Sequence, residues 1–281
     1  MLIQTLGTAQ TRLVRVPTNG LALSFPLSVA PNNSAFDMAQ AGFTIETMCY
    51  VYAYDNPVSP PGLSGSQDAQ FLILANGPSG NTFSVFLLVS NGVGYLKFYS
   101  YTSGEGYTSP VAIPPESWRH LRIDYNAQTF EMRLFINNVA AGSKTFGVDL
   151  ADTRGFSLGH VGSARSVSNL YGQLDEFRWW RYVRSDAENA ASWRLRNADV
   201  TGITPSSMAC CYSFEDDNSG KITATYADAS GNNLYLQDSG NSSGGQQRPV
   251  AQSRWHGQHR QAFHRLNQIP WPAPPPKSTP N

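Results

Sequence analysis

Charge is scarce in this 281-residue chain. Charged side chains make up 14% of the residues, against about 25% in an average soluble domain, and twenty basic residues balance twenty acidic ones. A formal net charge of zero excludes a protein that is basic throughout and wraps nucleic acid. Because 41% of the residues are hydrophobic, the low charge indicates an uncharged polar surface around a sizeable core rather than disorder.

Long apolar runs are also missing. No segment approaches the ~20 apolar residues that a membrane-spanning helix needs, and the mean hydropathy is −0.33. The first residues, MLIQTLGTAQTRLVR, contain no basic segment followed by an apolar one. We therefore expect neither a secretory signal nor membrane contact.

Cysteine is rare, with only Cys49, Cys210 and Cys211 present. An odd number without a framework spacing favours a reducing origin. Cys210 and Cys211 are neighbours in a predicted strand, so we expect their side chains on opposite faces, as small apolar residues. A bridge from Cys49 to either of them stays open. No CxxC or Cys/His spacing occurs, which argues against structural zinc.

Short apolar runs separated by turn residues dominate the chain. Asn91-Gly92, between two such runs, is the clearest signal for a tight hairpin because both residue types tolerate positive φ. Many short strands at regular spacing predict an all-β, antiparallel sandwich or barrel. The predicted strands are 13–16, 43–54, 70–75, 83–89, 95–101, 120–125, 132–136, 156–159, 170–183, 208–214, 222–227 and 234–237.

One helix is predicted after the longest strand. Ser185 is a suitable N-cap, acidic residues follow in the first turn, and Arg194 and Arg196 lie in the last turn. Three alanines and a leucine give this helix a small apolar stripe that we expect to lie over a sheet edge. The stripe consists of Ala187, Ala190, Ala191 and Leu195.

The composition changes near residue 238. Residues 238–247 read as a flexible linker, and residues 1–237 before them as one β-sandwich. Residues 248–281 form a Pro-rich arm with five basic and no acidic residues, so 1–245 carry a net charge of −5 and 246–281 of +5. We predict that this extended C-terminal tail docks on another chain through Arg254, Trp255, Arg260, Phe263, Arg265 and Trp271.

Two motifs resemble a known family. Residues 114–140 pair a strand opened by a Trp with a hairpin, and GQLDEFRWWRYVRSDAE follows at 172–188. In order, they resemble the laminin-G-like, concanavalin A-like lectin/glucanase family, and the resemblance covers roughly 40–238. The matching residues are Trp118, His120, Leu134, Phe135, Ile136, Asn137, Asn138, Gly172, Leu174, Asp175, Glu176, Phe177 and Arg178.

The resemblance implies a jelly roll of two packed antiparallel sheets but no reaction, because one fold hosts many functions. Glucanases of the family place two carboxylates on one face of a strand, at i, i+2 or i+4. Here Asp175 and Glu176 are adjacent and are expected to face opposite sides. We predict no catalytic residue, with Asp175 as an acceptor that holds a loop and His120 as a structural strand histidine.

Calcium is the alternative to having no cofactor at all. Some laminin-G-like domains bind it through loop oxygens, and Asp216, Asp217 and Asp228 are residues of the right kind. No fixed spacing identifies a site, and turns favour Asp in any case. We therefore predict no metal.

Tyrosines supply the best signal for ligand binding. Tyr50, Tyr52 and Tyr54 alternate along one predicted strand, and Tyr95, Tyr99 and Tyr101 mark a second one. Of Trp179 and Trp180, only one can point into the core. Tyr50, Tyr52, Tyr54 and Trp180 are candidates for a glycan or partner face, although cross-strand packing explains the same pattern.

Together these features predict a non-enzymatic bacteriophage virion protein, for capsid decoration or for a tail or fibre. The arm would join it to other virion proteins in a multi-copy assembly, and a host surface glycan is a further candidate ligand. The alternatives are a free carbohydrate-binding module or adhesin, exported without a signal peptide, and a glycoside hydrolase. Nucleic-acid binding by the arm is the weakest alternative.

Overall fold

The computed structural model describes residues 14–15, 23–24, 42–54, 69–77, 80–147, 150, 153, 155–159, 170, 172–214, 225–234 and 236–238. All of them belong to Met1–Val250, the first of two units into which the chain divides. The second unit, Ala251–Asn281, lies outside the described residues, as does the whole of the predicted arm. No helix in the described part of the chain is long and apolar enough to cross a membrane.

Strands make up most of the described chain. In order, the elements are β1 (Val14–Arg15), β2 (Leu23–Ser24), β3 (Phe43–Val51), β4 (Ala69–Gly77), β5 (Gly80–Ser90), β6 (Val93–Ser100), β7 (Glu105–Ile113), β8 (Trp118–Asn126), β9 (Glu131–Ile136), β10 (Val139–Thr145), β11 (Gly155–Leu158), β12 (Gly172–Trp180), α1 (Asp186–Ser192), a 3-10 helix (Asn197–Asp199), β13 (Met208–Tyr212), β14 (Thr225–Tyr226) and β15 (Leu236–Asp238).

Two antiparallel sheets form a sandwich. The seven-stranded sheet has the order β1-β12-β3-β8-β9-β10, and β13 pairs with β12 beside β1. The five-stranded sheet has the order β11-β4-β5-β6-β7, and β14, β15 and β2 form a small third sheet. The predicted all-β sandwich of the concanavalin A-like type is therefore confirmed.

Aromatic rings fill the core between the sheets. Phe43 of the larger sheet stacks on Phe83 of the smaller one at 5.3 Å between ring centroids, and Phe98 continues the stack at 5.2 Å. Trp179 is fully buried in the same core, whereas Trp180 packs on the other side of the sheet. The prediction that only one of the two tryptophans points into the core is confirmed.

The hairpin prediction is confirmed as well. β5 and β6 are joined by Asn91 and Gly92, with φ of 51° and 75°. Two positive φ values are the signature of the turn that matches the twist of a two-residue hairpin. All three cysteines are buried free thiols, so no bridge involves Cys49.

Three strands escape the sequence pattern, namely the two-residue β2 and the longer β7 and β10. β7 and β10 end the five- and seven-stranded sheets, and both have weak apolar periodicity. β7 contains Pro110, which an edge strand tolerates because one side of it needs no hydrogen bonds. The two edges meet, and the ammonium of Lys144 in β10 lies 3.1 Å from the carboxylate of Glu105 in β7.

The helix begins where predicted but ends at Ser192, so Arg194 and Arg196 lie beyond its last turn, and its buried side is not the predicted one. Ser185 caps α1 in a capping box with Glu188, as expected. The predicted apolar stripe is wrong, since Ala187, Ala190 and Ala191 are exposed and Leu195 lies beyond the helix and is 39% exposed. Asn189 and Ser192 are the buried residues of α1. The helix turns polar side chains inward because the sheet surface beneath it is itself polar and charged.

Candidate functional site

The outer surface of the seven-stranded sheet is covered by the segment that follows β12. We call this surface the covered face and define it by Thr44, Glu46, His120, Arg122, Asp124, Arg178 and Trp180, which are all buried. They alternate along β3, β8 and β12 with residues of the sandwich core. A sheet that is covered on both sides can hold charge only if every charge finds a partner.

Glu46 is the centre of the covered face. Its carboxylate accepts hydrogen bonds from the indole of Trp180 at 2.7 Å and from the guanidinium of Arg184 at 2.9 Å. His120 Nε2 lies 3.0 Å from the second oxygen. Arg178 is 3.8 Å away, within ion-pair distance. One buried carboxylate thus connects three elements: β8, β12 and the turn before α1.

Arg178 and Arg184 carry this connection into the covering segment. Arg184 Nη1 donates to the Ser192 hydroxyl at 2.8 Å, and its Nη2 donates to the backbone oxygen of Glu188 at 3.0 Å. Arg178 donates to the side chain of Asn197 and to the backbone oxygen of Leu195. The segment is therefore held to the sheet by charge-assisted hydrogen bonds, which are stronger than neutral ones.

A second ionic group lies beside the first. Arg122 Nη2 is 2.9 Å from the carboxylate of Asp186 in the first turn of α1 and 3.2 Å from that of Asp124. The guanidinium carbon lies 3.4 Å from the ring centroid of Phe135. Asp124 also accepts from Thr44 and from Arg133, each at 2.8 Å.

The electrostatics of the covered face keep Glu46 ionised and His120 neutral. Burial alone would raise the pKa of Glu46, but the hydrogen bond from His120 and the charges of Arg178 and Arg184 hold that pKa well below its usual range. Burial lowers the pKa of His120, and its hydrogen bond to Glu46 only partly opposes this. The neutral imidazole therefore donates from Nε2 to the carboxylate.

Asp175 and Glu176 lie in an irregular part of β12. The pairing of β12 with β3 is irregular between Asp175 and Arg178, and Glu176 has a φ of 51°. Asp175 and Glu176 therefore lie in a β-bulge. The carboxylate of Asp175 accepts from the backbone N–H of Glu176 at 2.8 Å, and that of Glu176 accepts from the N–H of Asn197. Both carboxylates are buried and hold the local backbone in place. The simple alternation that we expected for these two residues is interrupted by the bulge.

The four residues of the predicted glycan or partner face do not lie together. Trp180 is 1% exposed and Tyr54 is 3% exposed, so neither can contact a ligand, which corrects the prediction for both. β3 ends at Val51, and Tyr54 beyond it belongs to the core and donates to the backbone oxygen of Ile113 at 2.7 Å.

Tyr50 and Tyr52 do lie together, half-buried, with their ring centroids 5.5 Å apart in an edge-on contact. Tyr50 also packs at 5.5 Å against Trp118, and the hydroxyl of Tyr52 accepts from Gln173. Their rings meet one another edge-on, and the polar atom of Tyr52 already has a partner. This end of the sheet is built for packing more than for presenting a flat ring.

The outer surface of the five-stranded sheet is different. We call it the aromatic face and define it by six half-buried side chains on three neighbouring strands: Phe71, Phe86, Leu88, Tyr95, Lys97 and Tyr99. In β6 they alternate with the core residues Leu96 and Phe98, so Tyr95, Lys97 and Tyr99 point to one side.

Register brings these rings into contact. Phe71, Phe86 and Lys97 are cross-strand neighbours, and the two phenylalanine rings stack at 4.9 Å. The ammonium of Lys97 lies 5.5 Å from the centroid of Phe86. Tyr99 meets Tyr101 edge-on at 5.1 Å, and Tyr101 is 39% exposed.

The predicted metal ligands are only partly within the described residues. Asp228 accepts from the N–H groups of Cys211, Ser230 and Leu234 and from the Ser230 hydroxyl. Both oxygens of this carboxylate accept from these donors, so Asp228 organises the turn. Asp216 and Asp217 lie outside the described residues, as do the six predicted arm residues. Within the described part, no group of three or more metal-ligating side chains occurs.

The residue pattern did not reveal either the aromatic face or the covered face. Phe71 and Phe86 belong to continuous apolar runs, and nothing in one sequence marks them as facing outward. The signal that could have found the covered face is a set of ionisable residues at alternate positions inside apolar strands, Glu46 in β3 and Arg122 and Asp124 in β8. Such residues are almost never fully buried unless they are paired.

Three solved structures are similar in fold. A candidate carbohydrate-binding protein from Bacteroides ovatus is 16% identical with a TM-score of 0.50, covering 77% of this chain and 54% of that one. The CBM40 module of a Ruminococcus gnavus IT-sialidase, bound to α2,3-sialyllactose, is 18% identical with a TM-score of 0.43, covering 60% and 92%. A heptameric SAP-like pentraxin from Limulus polyphemus is 14% identical with a TM-score of 0.41, covering 61% and 80%.

The chain thus spans about half of the Bacteroides ovatus protein, and at these identities the likeness concerns the fold alone. A search of curated protein sequences gives no match. A family model does match: Laminin_G_3, described as the concanavalin A-like lectin/glucanases superfamily, aligns with residues 28–189, more than half of the chain. Two antiparallel sheets, the short capped helix after β12 and this match together establish that the chain belongs to the concanavalin A-like lectin/glucanases superfamily.

Proposed function

We propose that the sandwich is a carbohydrate-binding module and that the aromatic face is its binding platform. The observation that carries the proposal is the row of half-buried rings on β4, β5 and β6, where the described strands place a single charged side chain. Aromatic side chains this numerous on an outer sheet face are typical of surfaces that contact a partner.

The chemistry of the aromatic face suits a sugar. The C–H side of a pyranose ring packs against aromatic rings, while its hydroxyls need polar groups at the edge. Tyr95 and Tyr99 supply both, since each phenol combines a ring with a donor and acceptor. The two residues are four positions apart on β6, or ~13 Å along a strand, which is longer than one sugar unit.

Binding fits the described residues better than hydrolysis does. Hydrolysis of a glycosidic bond needs two carboxyl groups that flank the substrate. The buried carboxylates Glu46, Asp175 and Glu176 each accept hydrogen bonds from the chain itself, and the aromatic face has no acidic residue.

A glycan array followed by titration calorimetry on the full chain tests the proposal. Replacing Tyr99 by Ala should weaken binding of the best array ligand about fivefold or more, because stacking on one aromatic ring is worth ~1–3 kcal/mol for nucleobases and we expect a similar order for a sugar. Tyr50→Ala is the matched control, since it removes the same side chain from the other sheet, and should leave affinity unchanged. An array without any ligand, or equal losses in both variants, contradicts the proposal.

A virion role is the second candidate, favoured by charge asymmetry. All twenty acidic residues lie in 1–245, whereas 246–281 carry five basic residues and none of opposite sign. An arm of this kind suits an acidic surface on another virion protein. The reversal of Arg254, Arg260 and Arg265 to Glu should abolish co-purification of the chain with phage particles. Normal incorporation of that variant, measured by mass spectrometry, contradicts the docking role.

A further inference from the structure

Charge is distributed unequally between the two sheets. The five strands of the smaller sheet contain two charged residues, Lys97 and Glu105. Glu105 is directed to the other sheet, where its carboxylate lies 3.1 Å from the ammonium of Lys144. Lys97 is therefore the one charged side chain that the described strands of this sheet place on the aromatic face.

Lys97 lies in the middle of the aromatic face. Tyr95 and Tyr99 flank it on β6, and Phe86 is its cross-strand neighbour on β5. On the opposite side, Thr108 of β7 is its register partner. The ammonium is near the Phe86 ring, and the described part of the chain holds no carboxylate within ion-pair distance of it.

Two opposing effects act on the ammonium of Lys97. The neighbouring rings remove part of its water, and a cation–π contact of this kind offsets only ~0.5–1 kcal/mol at a partly exposed site. Residues 1–245 have a net charge of −5, and the described strands of this sheet place no second basic side chain beside Lys97, so its charge stands alone among the described residues of this face. An anionic group placed next to a ring-stacked ligand would complete the set of contacts.

We propose that the aromatic face selects glycans that carry a carboxylate or sulfate, and that Lys97 is the residue that recognises the anion. This inference rests on the proposed function. The sugar ring stacks on Tyr95 or Tyr99 while its acidic group pairs with the ammonium between them. Lys97 is thus a specificity residue, and the tyrosines supply affinity that does not depend on charge.

Matched pairs of ligands test this on the full chain. Oligogalacturonate is compared with its carboxyl-reduced form, sialyllactose with lactose, and a heparin fragment with its desulfated form, by titration calorimetry. Lys97→Met keeps the length of the side chain and removes the charge. It should reduce affinity for the preferred anionic ligand about tenfold or more, as expected for one hydrogen bond to a charged group, and leave the neutral counterpart unchanged.

Two control variants separate the outcomes. Lys97→Arg should retain most of the affinity, and Lys144→Met, which removes one positive charge elsewhere, should change nothing. Equal binding of neutral and anionic ligands, or an unchanged affinity in Lys97→Met, overturns this inference while the platform stands. If no glycan binds, the proposed function fails with it. If instead Tyr99→Ala converts a dimer to a monomer in sedimentation, the face is an interface between copies, and both proposals fail.

Discussion

The outer surfaces of the two sheets have opposite compositions, although strand alternation produces both. The covered face buries Glu46, Arg122, Asp124 and Arg178 beneath α1 and the 3-10 helix. The aromatic face leaves rings half-buried and holds a single charge, Lys97. A covered surface is where apolar residues are expected, and an open one is where charge is expected.

This departure from the usual distribution of charged and apolar residues has a physical explanation on each face. Buried ion pairs gain little net stability over apolar packing, but they are demanding in geometry. On the covered face they connect each arginine to named atoms of one segment, which determines where that segment lies. On the aromatic face, rings that no described element covers cost solubility and contribute only ~0.2–1 kcal/mol per cross-strand pair to folding, so we attribute them to contacts with another molecule.

The largest expected effect concerns the covered face. Arg184→Met leaves the carboxylate of Glu46 buried with less compensation, and should lower the free energy of unfolding by about 3–5 kcal/mol. Lys97→Met, on the aromatic face, should stay within about 0.5 kcal/mol of the wild type. Urea denaturation measures both. Similar losses of unfolding free energy in the two variants would contradict the view that only the covered face depends on its charges for stability.

A smaller effect is expected for the polar underside of α1. Asn189 is fully buried, donates to the backbone oxygen of Ser185 at 2.9 Å and accepts from Arg184 at 3.4 Å. Asn189→Leu would give the helix an apolar inner side and should destabilise the protein by about 1–3 kcal/mol. Ala191→Leu, on the exposed side, is the control. A more stable Asn189→Leu protein would mean that the segment tolerates ordinary apolar packing.

Acid should loosen the covered face before it affects the rest of the sandwich. The pKa of His120 is lowered from its ordinary value of 6.5, so the unfolded chain takes up a proton there while the folded chain does not. Stability is then fully present above pH 6.5 and falls below it, by at most about 1.4 kcal/mol per pH unit from this group. Glu46, whose pKa is lowered from 4.5, adds a further loss of stability below pH 4.5.

The melting temperatures of the wild type and of His120→Gln, measured between pH 7.5 and pH 5 in the same buffers, check this. Glutamine keeps a donor for Glu46 but does not titrate. The variant should show a flatter profile over this range. Parallel profiles would assign the acid sensitivity to other groups.

The smallest effect on stability is expected on the aromatic face. Phe86→Thr removes the stack with Phe71, and cross-strand pairs of this kind contribute ~0.2–1 kcal/mol. Thermal denaturation should therefore change by little, while ligand binding in calorimetry should decrease clearly. A large loss of stability would indicate that these rings are part of the fold rather than of a platform.

Much of this architecture could be predicted from residue patterns. The strands around the core, the Asn91-Gly92 hairpin and the Ser185 cap follow from local rules, because alternation, turn chemistry and capping depend on residues close in sequence. The edge strands β7 and β10 could not be predicted this way. They bury few side chains, so their apolar periodicity is weak.

The candidate site was harder to predict for a different reason. Alternation suggested a common face for Tyr50, Tyr52 and Tyr54, but β3 ends at Val51, before the last two of them, and Tyr54 enters the core. Trp180 has the right period for an outer surface, yet that surface is covered. Burial of an outward-facing residue depends on what the rest of the chain places over it.

By itself, the sequence determined that this chain is an all-β sandwich with a capped helix after its longest predicted strand, since alternation, turns and caps depend on residues close in sequence. Only the tertiary structure decided that the segment after β12 covers one outer surface and that the described residues of the other stay half-exposed. Register across β4, β5 and β6 brings Phe71, Phe86 and Lys97 together, and the return of the chain over β12 buries Trp180. Both depend on residues far apart in sequence, whose pairing no local pattern specifies.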